Sequence, residues 1–195
     1  AFAVDNARLF QVAKKRQKEE AALRKATEAV TATFSVDEII DQIARSALEA
    51  TDADGSYVER IIDGHVRVVA GGGVLHPDLG VYTDYDLSVA KRVIELGQPE
   101  VIRSVGESPT PLPGMLAETH AHSSALFVPL VDGGEAIGAL VLLRDDSREP
   151  FSRDEAERAP TFGNLAALAF RKVHLLEDTE RRREELEDVI KSRSR

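Results

Sequence analysis

Cysteine is absent from the 195-residue sequence, which excludes disulfides, thiolate metal sites and thiol nucleophiles. No apolar run approaches the roughly 20 residues of a membrane-spanning helix. Ala1 to Phe10 lack the basic-then-apolar layout of a signal peptide, so the sequence reads as soluble and cytoplasmic. Positive charge is scarce where a phosphate backbone would demand it. Residues 1 to 30 carry seven basic and four acidic side chains and residues 171 to 195 carry eight and seven, which leaves ten basic against twenty-three acidic between them. A middle segment at -13 repels nucleic acid and anionic lipid, so neither is an expected partner. Proline and glycine are missing from the first 34 residues, which removes the usual helix breakers there.

What is present is one domain's worth of core, 43% hydrophobic residues, between two charged helical flanks. Residues 1 to 34 read as one long helix rich in Ala, Lys, Glu, Leu and Arg. Ser35 and Glu38 form a capping box that opens a second helix to about Ala50. Its Ile39, Ile40, Ile43, Ala44, Ala47 and Leu48 share a face suited to packing on a sheet. The segments 57 to 61 and 65 to 69 flank Asp63-Gly64, a hairpin signal. Gly71 to Asp86 reads as a loop, with Gly71-Gly72-Gly73 as a mobile lid and not a phosphate loop, since no Gly-Lys-Ser/Thr follows. Ser88 to Leu96 is a short helix stopped at Gly97. Val101-Ile102 is a short strand, and 104 to 113 a second loop. Segments 125 to 131 and 136 to 143 form a second, strongly apolar hairpin, in which Pro129 calls for a bulge or an outward-facing amide. Ser152 and Glu155 then cap a closing helix in which Pro160 marks a bend or a restart.

The two flanks share a pattern. Phe2, Leu9 and Phe10 match Leu168, Leu175 and Leu176 at a constant offset of 166 residues, which implies that the chain begins inside the last helix of a preceding copy of the same module. Two unrelated alanine-rich helices are the alternative. A 3-4 seam of Phe2, Leu9, Val12, Leu23, Ala26 and Val30 includes Arg16 and Glu19. The second seam, Leu168, Leu175 and Val189, includes Arg182 and Glu185. A parallel coiled coil with such polar layers is weak there, as suits a helix pair that shifts register between signalling states. A solvated single helix is the other reading.

The order of helix, hairpin, glycine-rich segment, Leu87 to Pro99, Ser124 to Leu140 and Pro150 to Glu155 resembles GAF domains across residues 28 to 176. The strand-Pro-Leu-turn-Gly-strand element at 124 to 140 is the most specific part. The resemblance implies an α+β, GAF/PAS-like fold: an antiparallel sheet of about six strands, helices on one face, and a small-molecule pocket between the other face and the long loops. The division expected is a linker helix at 1–27, the GAF domain at 28–176 and a coiled-coil signalling helix at 177–195. The role implied is a non-enzymatic sensory or relay module, homodimeric through its terminal helices, attached to a kinase, phosphatase or cyclase output in a two-component type of system. A ligand-free dimerisation spacer is the alternative. Strand positions taken together with the resemblance imply Tyr57, Val69, Leu87, Ile102 and Phe127 as pocket lining, beneath loops 71–86 and 103–122.

The resemblance also supplies chemistries to test. His120 and His122 alternate in an extended segment and could meet a metal or haem iron from one face, as in some haem-binding GAF domains, although no third ligand is evident. Cyclic-nucleotide GAF domains carry an Asn-Lys pair followed by Phe and Asp-Glu; here neither Asn6 nor Asn164 precedes a lysine, and the capping box accounts for Asp154-Glu155, so cyclic nucleotide is not the expected ligand. Covalent bilin needs the thiol that is lacking. The cofactor is left unassigned.

Overall fold

The computed structural model describes residues 2–31, 35–74, 79–110, 121–172, 175 and 182–183. Helix α1 spans Phe2–Thr31 and α2 spans Val36–Thr51; strands β1 (Gly55–Ile62), β2 (His65–Gly73) and β3 (Tyr82–Asp84) follow. Helix α3 (Val89–Leu96) precedes β4 (Glu100–Ile102), β5 (Ser124–Asp132) and β6 (Glu135–Arg144). Helix α4 covers Arg153–Arg158 and α5 covers 160–172. The strands form one six-stranded antiparallel sheet in the order β3-β2-β1-β6-β5-β4, the α+β arrangement expected.

Local chemistry fixes the element boundaries. Ser35 caps α2, and Glu38 returns a bond to the Ser35 amide; Ser152 and Glu155 repeat the device at α4. Each box satisfies amides that a helix start leaves without intrahelical partners. Asp63 and Gly64 both take positive φ, at 50° and 75°, the type I′ turn whose twist suits a two-residue hairpin. Helix α4 ends at Ala159 and the chain restarts at Pro160, where a missing N–H costs nothing in a first turn.

Two apolar clusters lie on opposite faces of the sheet. One packs α1, α2 and α5 against Val58, Ala70, Leu126, Val128, Leu140 and Leu142. The other gathers Tyr57, Val66, Val68, Phe127 and Val141 with Val89, Ala90 and Val93 of α3. This is strand alternation: Tyr57 and Val58, or Phe127 and Val128, point to opposite sides. Helix α3 packs on β5 and β6, so the face opposite the main helical layer also carries a helix.

Gly138 sits where β6 crosses β1, and a Cβ there would lie 2.0 Å from the Glu59 carbonyl oxygen. Close backbone approach is what the geometry demands of this glycine. Pro129 is accommodated because β4 pairs only with Ala125 to Phe127. At Pro129, β5 has run past that partner, and the missing amide removes no β4 bond.

Two sequence expectations change. Gly71, Gly72 and Gly73 are not a lid; they close β2 and pair with Tyr57, Ser56 and Gly55 of β1. The alternating run was read to stop at residue 69, but small residues pair as readily where a neighbouring helix, α2, lies against the strand. Helix α1 also runs unbroken across the expected boundary at residue 27. Its Ala22, Ala26, Ala29 and Val30 are buried in the domain's own core, so the second half of the linker helix is structurally part of the domain.

Candidate functional site

Three of the five expected lining residues meet on one face. Tyr57, Ile102 and Phe127 are all buried in the cluster that α3 helps to cover. Val69 does not join them. A register shift between Val58 and Glu59 of β1 pairs these residues with Ala70 and Val68 and leaves Val69 as the extra residue of a β-bulge. The bulge puts both Val69 and Ala70 on the helical side, since it interrupts alternation for one residue. Leu87 is 60% exposed and stands outside the cluster, on the rim of a groove of about 400 Å3 lined with Ser88, Lys91, Arg92, Pro109 and Thr110.

A second groove of about 460 Å3 runs along β4 past Ile102, Arg103, Ser104 and Ser108. Arg92 lines both. Its Nε donates to Glu100 Oε2 at 2.7 Å, its Nη2 to Glu100 Oε1, and its Nη1 to Thr110 Oγ1 at 3.0 Å. This bidentate clamp ties α3 to β4 and leaves the guanidinium committed within the protein.

The polar centre of the sheet face was not singled out in the sequence. Glu59 is two residues beyond Tyr57 on β1 and therefore on the same side. It pairs across to Ala139 of β6 and Val68 of β2. Glu59 is fully buried, and burial pushes its carboxyl up to about 8. Among the described residues no cation or hydrogen-bond donor offsets that burial. The Tyr57 hydroxyl is buried without a hydrogen-bond partner, and its ionisation is pushed far upward by burial and by the Glu59 charge. Buried polar groups are ordinarily paired, so the unpartnered Tyr57 hydroxyl beside the buried Glu59 carboxyl is the site's principal chemical feature. The only sequence signal for it was a glutamate at an inward position of an alternating strand.

A different charged cluster holds the opposite side together. Arg144 Nη2 donates to Glu155 Oε1 at 3.1 Å and also to the Thr51 carbonyl, Nη1 reaches the Glu149 carbonyl at 3.2 Å, and the guanidinium lies 4.0 Å from the Phe151 ring centre. Lys15 of α1 reaches the same Glu155 oxygen at 3.2 Å, and Arg158 pairs with Glu19 at 3.0 Å. Burial opposes the Glu155 charge, but hydrogen bonds from Arg144 and the Ser152 cap hold its carboxyl at about 2. Phe151 and Glu155, two of the residues compared with a cyclic-nucleotide motif, are thus occupied in a structural node, whereas Asp154 is exposed.

Of the two candidate histidines, His122 is exposed before β5 and His120 lies outside the described residues. Among the described residues no group of three or more His, Asp or Glu is placed to hold a metal. No helix among them is long and apolar enough to cross a membrane. On α1, Leu9, Phe10 and Val12 are exposed, as is Arg16, whereas Leu23 packs against the core and Glu19 is turned to Arg158. Ala26 and Val30, read as seam positions, are core residues. The second seam is described at Leu168, Leu175 and Arg182, all exposed; Glu185 and Val189 lie outside the described residues.

Solved structures share this architecture. The chain is similar to the GAF domain of a phosphoenolpyruvate-protein phosphotransferase from Coxiella burnetii, at 19% identity and a TM-score of 0.71, covering 83% of this chain and 98% of that one. It is similar to a GAF domain/HD domain protein from Geobacter sulfurreducens, at 21% identity and 0.64, over 72% and 95%. It also matches free methionine-R-sulfoxide reductase from Neisseria meningitidis, solved in complex with its substrate, at 15% and 0.64, over 78% and 88%. These likenesses show the fold. No curated protein sequence matches this chain. The family model described as GAF domain matches residues 35–170, and with the sheet, its order and its helical layer in place, the chain belongs to the GAF family of sensory and regulatory signalling domains.

Proposed function

We propose that this domain senses a small molecule on the α3-covered face of its sheet and relays the bound state through its flanking helices to an output domain in the cytoplasm. The observation that carries this reading is the buried Tyr57 hydroxyl without a hydrogen-bond partner, beside the fully buried Glu59 carboxyl whose charge is opposed by burial, both on that face. A domain serving only as a spacer gains nothing from an isolated buried carboxyl, which lowers stability unless something pairs with it. Tyr57, Ile102 and Phe127 supply apolar wall, and the chain contributes no catalytic machinery of its own to this reading. The domain is taken as 28–176, with the second half of α1 packed into its core and linker helices continuing on either side.

The relay half of the reading rests on α1. Its first half projects Leu9, Phe10 and Val12 into solvent, a stripe suited to pairing with the same helix of a second copy in a parallel homodimer. Its second half is built into the domain core. Native mass spectrometry of the chain purified from its host, with light scattering at about 100 µM, tests both halves. The expected result is a dimer carrying a small bound mass. A monomer with no bound mass, unstabilised by any extract of host metabolites in thermal melts, would refute it.

A further inference from the structure

The chemistry of the sheet face restricts what it can hold. Tyr57 and Glu59 lie two residues apart on β1, both buried, the Tyr57 hydroxyl without a hydrogen-bond partner. Around them the cluster is small and apolar: Val66 and Val68 from β2, Ala139 and Val141 from β6, Phe127 from β5. Helix α3 packs on the β5–β6 half of the face and brings Val89, Ala90 and Val93. None of these ionises. The titratable side chains facing Glu59 among the described residues are therefore Tyr57 on its own strand and, packed against the edge of the cluster, Tyr85. Lys91 and Arg92 of α3 turn to Asp86 and Glu100 instead.

We infer that Glu59 and Tyr57 together anchor a compact organic cation, an amine or amidine carried on an otherwise apolar molecule. This rests on the reading of this face as the ligand site. The carboxylate only accepts hydrogen bonds, and the unpartnered phenol oxygen on the same strand can accept as well as donate. In an apolar surround a charge-assisted N–H to carboxylate bond is far stronger than in water. The domain's field points the same way, since twenty-three acidic against ten basic side chains between the flanks attract cations and repel nucleotides and carboxylates.

Binding of such a cation must release a proton. Without it, the buried carboxyl is held neutral up to about pH 8; with a cation against it, the carboxylate is the stable form. Affinity therefore rises with pH, up to about tenfold per unit between pH 6 and pH 8, then levels off.

Benzamidine and its neutral isostere benzamide separate the possibilities, each titrated into the intact chain by calorimetry in buffers of differing ionisation enthalpy, with backbone amide shifts reporting the location. The expected result is that benzamidine shifts the amides of Val68, Glu59 and Ala139, binds more tightly as pH rises to 8 and releases close to one proton. Glu59→Gln should lower that affinity at least tenfold and abolish its pH dependence, and Tyr57→Phe should lower it less. Thermal melts check that the variants fold, and proton release by the unaltered chain decides the matter if they do not. Benzamide binding the same amides as tightly, without proton release or dependence on Glu59, overturns the cation inference while leaving a ligand face. Neither probe binding that face at millimolar concentration overturns the inference and the ligand-face reading together.

Discussion

Neutralising Glu155 should unfasten α1, α2 and β6 from one another, and the cost can be worked from the structure. In Glu155→Gln the capping box survives, because glutamine at the third position returns the same bond to Ser152. What is lost is the charge that meets Arg144 at 3.1 Å and Lys15 at 3.2 Å, beneath side chains of which Arg144 and Glu155 are each less than one-tenth exposed. Removing one member of a buried pair costs about 3–5 kcal/mol, since the other stays buried and uncompensated. The bonds from Arg144 to the Thr51 and Glu149 carbonyls remain, which puts the expectation near the lower end, about 3 kcal/mol. Linkage gives a similar figure independently. A carboxyl held at about 2 in the folded state against 4.5 unfolded contributes about 3 kcal/mol at neutral pH.

The sign follows from the depressed value. The contribution is complete above about pH 4.5 and is lost as pH falls toward about 2. Urea denaturation at pH 7 should show the full difference between the unaltered chain and Glu155→Gln, a fall of roughly 6–12 °C in thermal midpoint for a domain of this size. The two curves should converge as the pH is lowered through 4.5. Arg144→Met with Glu155→Gln should recover part of the loss, because the uncompensated cation is gone and a methionine can still pack on Phe151. A difference below about 0.5 kcal/mol at pH 7, or one that does not narrow in acid, would mean that the cluster is solvated in solution and does not hold the helical layer.

Glu59 should behave oppositely: its raised carboxyl makes the folded state lose stability as pH climbs from about 4.5 to about 8, by a few kcal/mol, so urea midpoints of Glu59→Gln should hold steady where those of the unaltered chain fall. Gly138→Ala places a methyl 2.0 Å from the Glu59 carbonyl oxygen and should cost about 3 kcal/mol or more by chemical denaturation; a near-neutral result would mean that β1 and β6 separate freely. Ser35→Ala removes one half of the α2 cap and should cost about 1 kcal/mol. Replacing Arg16 and Glu19, or Arg182 and Glu185, with leucine should tighten the proposed homodimer in sedimentation equilibrium; the partly exposed Glu19–Arg158 pair given up in the first case is worth about 1 kcal/mol or less.

Features governed by local chemistry were readable in the sequence. Both capping boxes, the Asp63-Gly64 turn, the apolar face of α2 and the restart at Pro160 depend on a few adjacent residues, and the structure has them. Features set by pairing were not. Strand β3 is three residues long and exists only because β2 offers an edge to it, and the glycines at 71 to 73 are strand because β1 lies opposite. The bulge that turns Val69 to the helices leaves no mark in composition. On α1 the 3-4 spacing was real, but the same spacing serves a helix packed on its own domain and a coiled coil. Leu23, Ala26 and Val30 answer to the first and Leu9 and Val12 are free for the second. Glu59 was overlooked because a single charge in an alternating strand ordinarily faces water.

The two faces of the sheet are joined most directly by β1. Glu59 turns toward the α3 side, and the next residue, Arg60, places its guanidinium 4.6 Å from the ring centre of Phe170 on α5. The backbone between them is held where Gly138 touches the Glu59 carbonyl, so β1 cannot shift at Glu59 without moving against β6. Strand β6 ends at Arg144, in the cluster that fastens α1 through Glu155 and Lys15. In the relay proposed, a change of charge or position at Glu59 would reach the entering helix through β6 and the leaving helix through Arg60, along packed contacts. Close-packed interiors transmit such displacements because they have few voids to absorb them. The site proposed for the ligand thus shares β1 with the contact to the leaving helix and lies one strand, β6, from the cluster that fastens the entering helix.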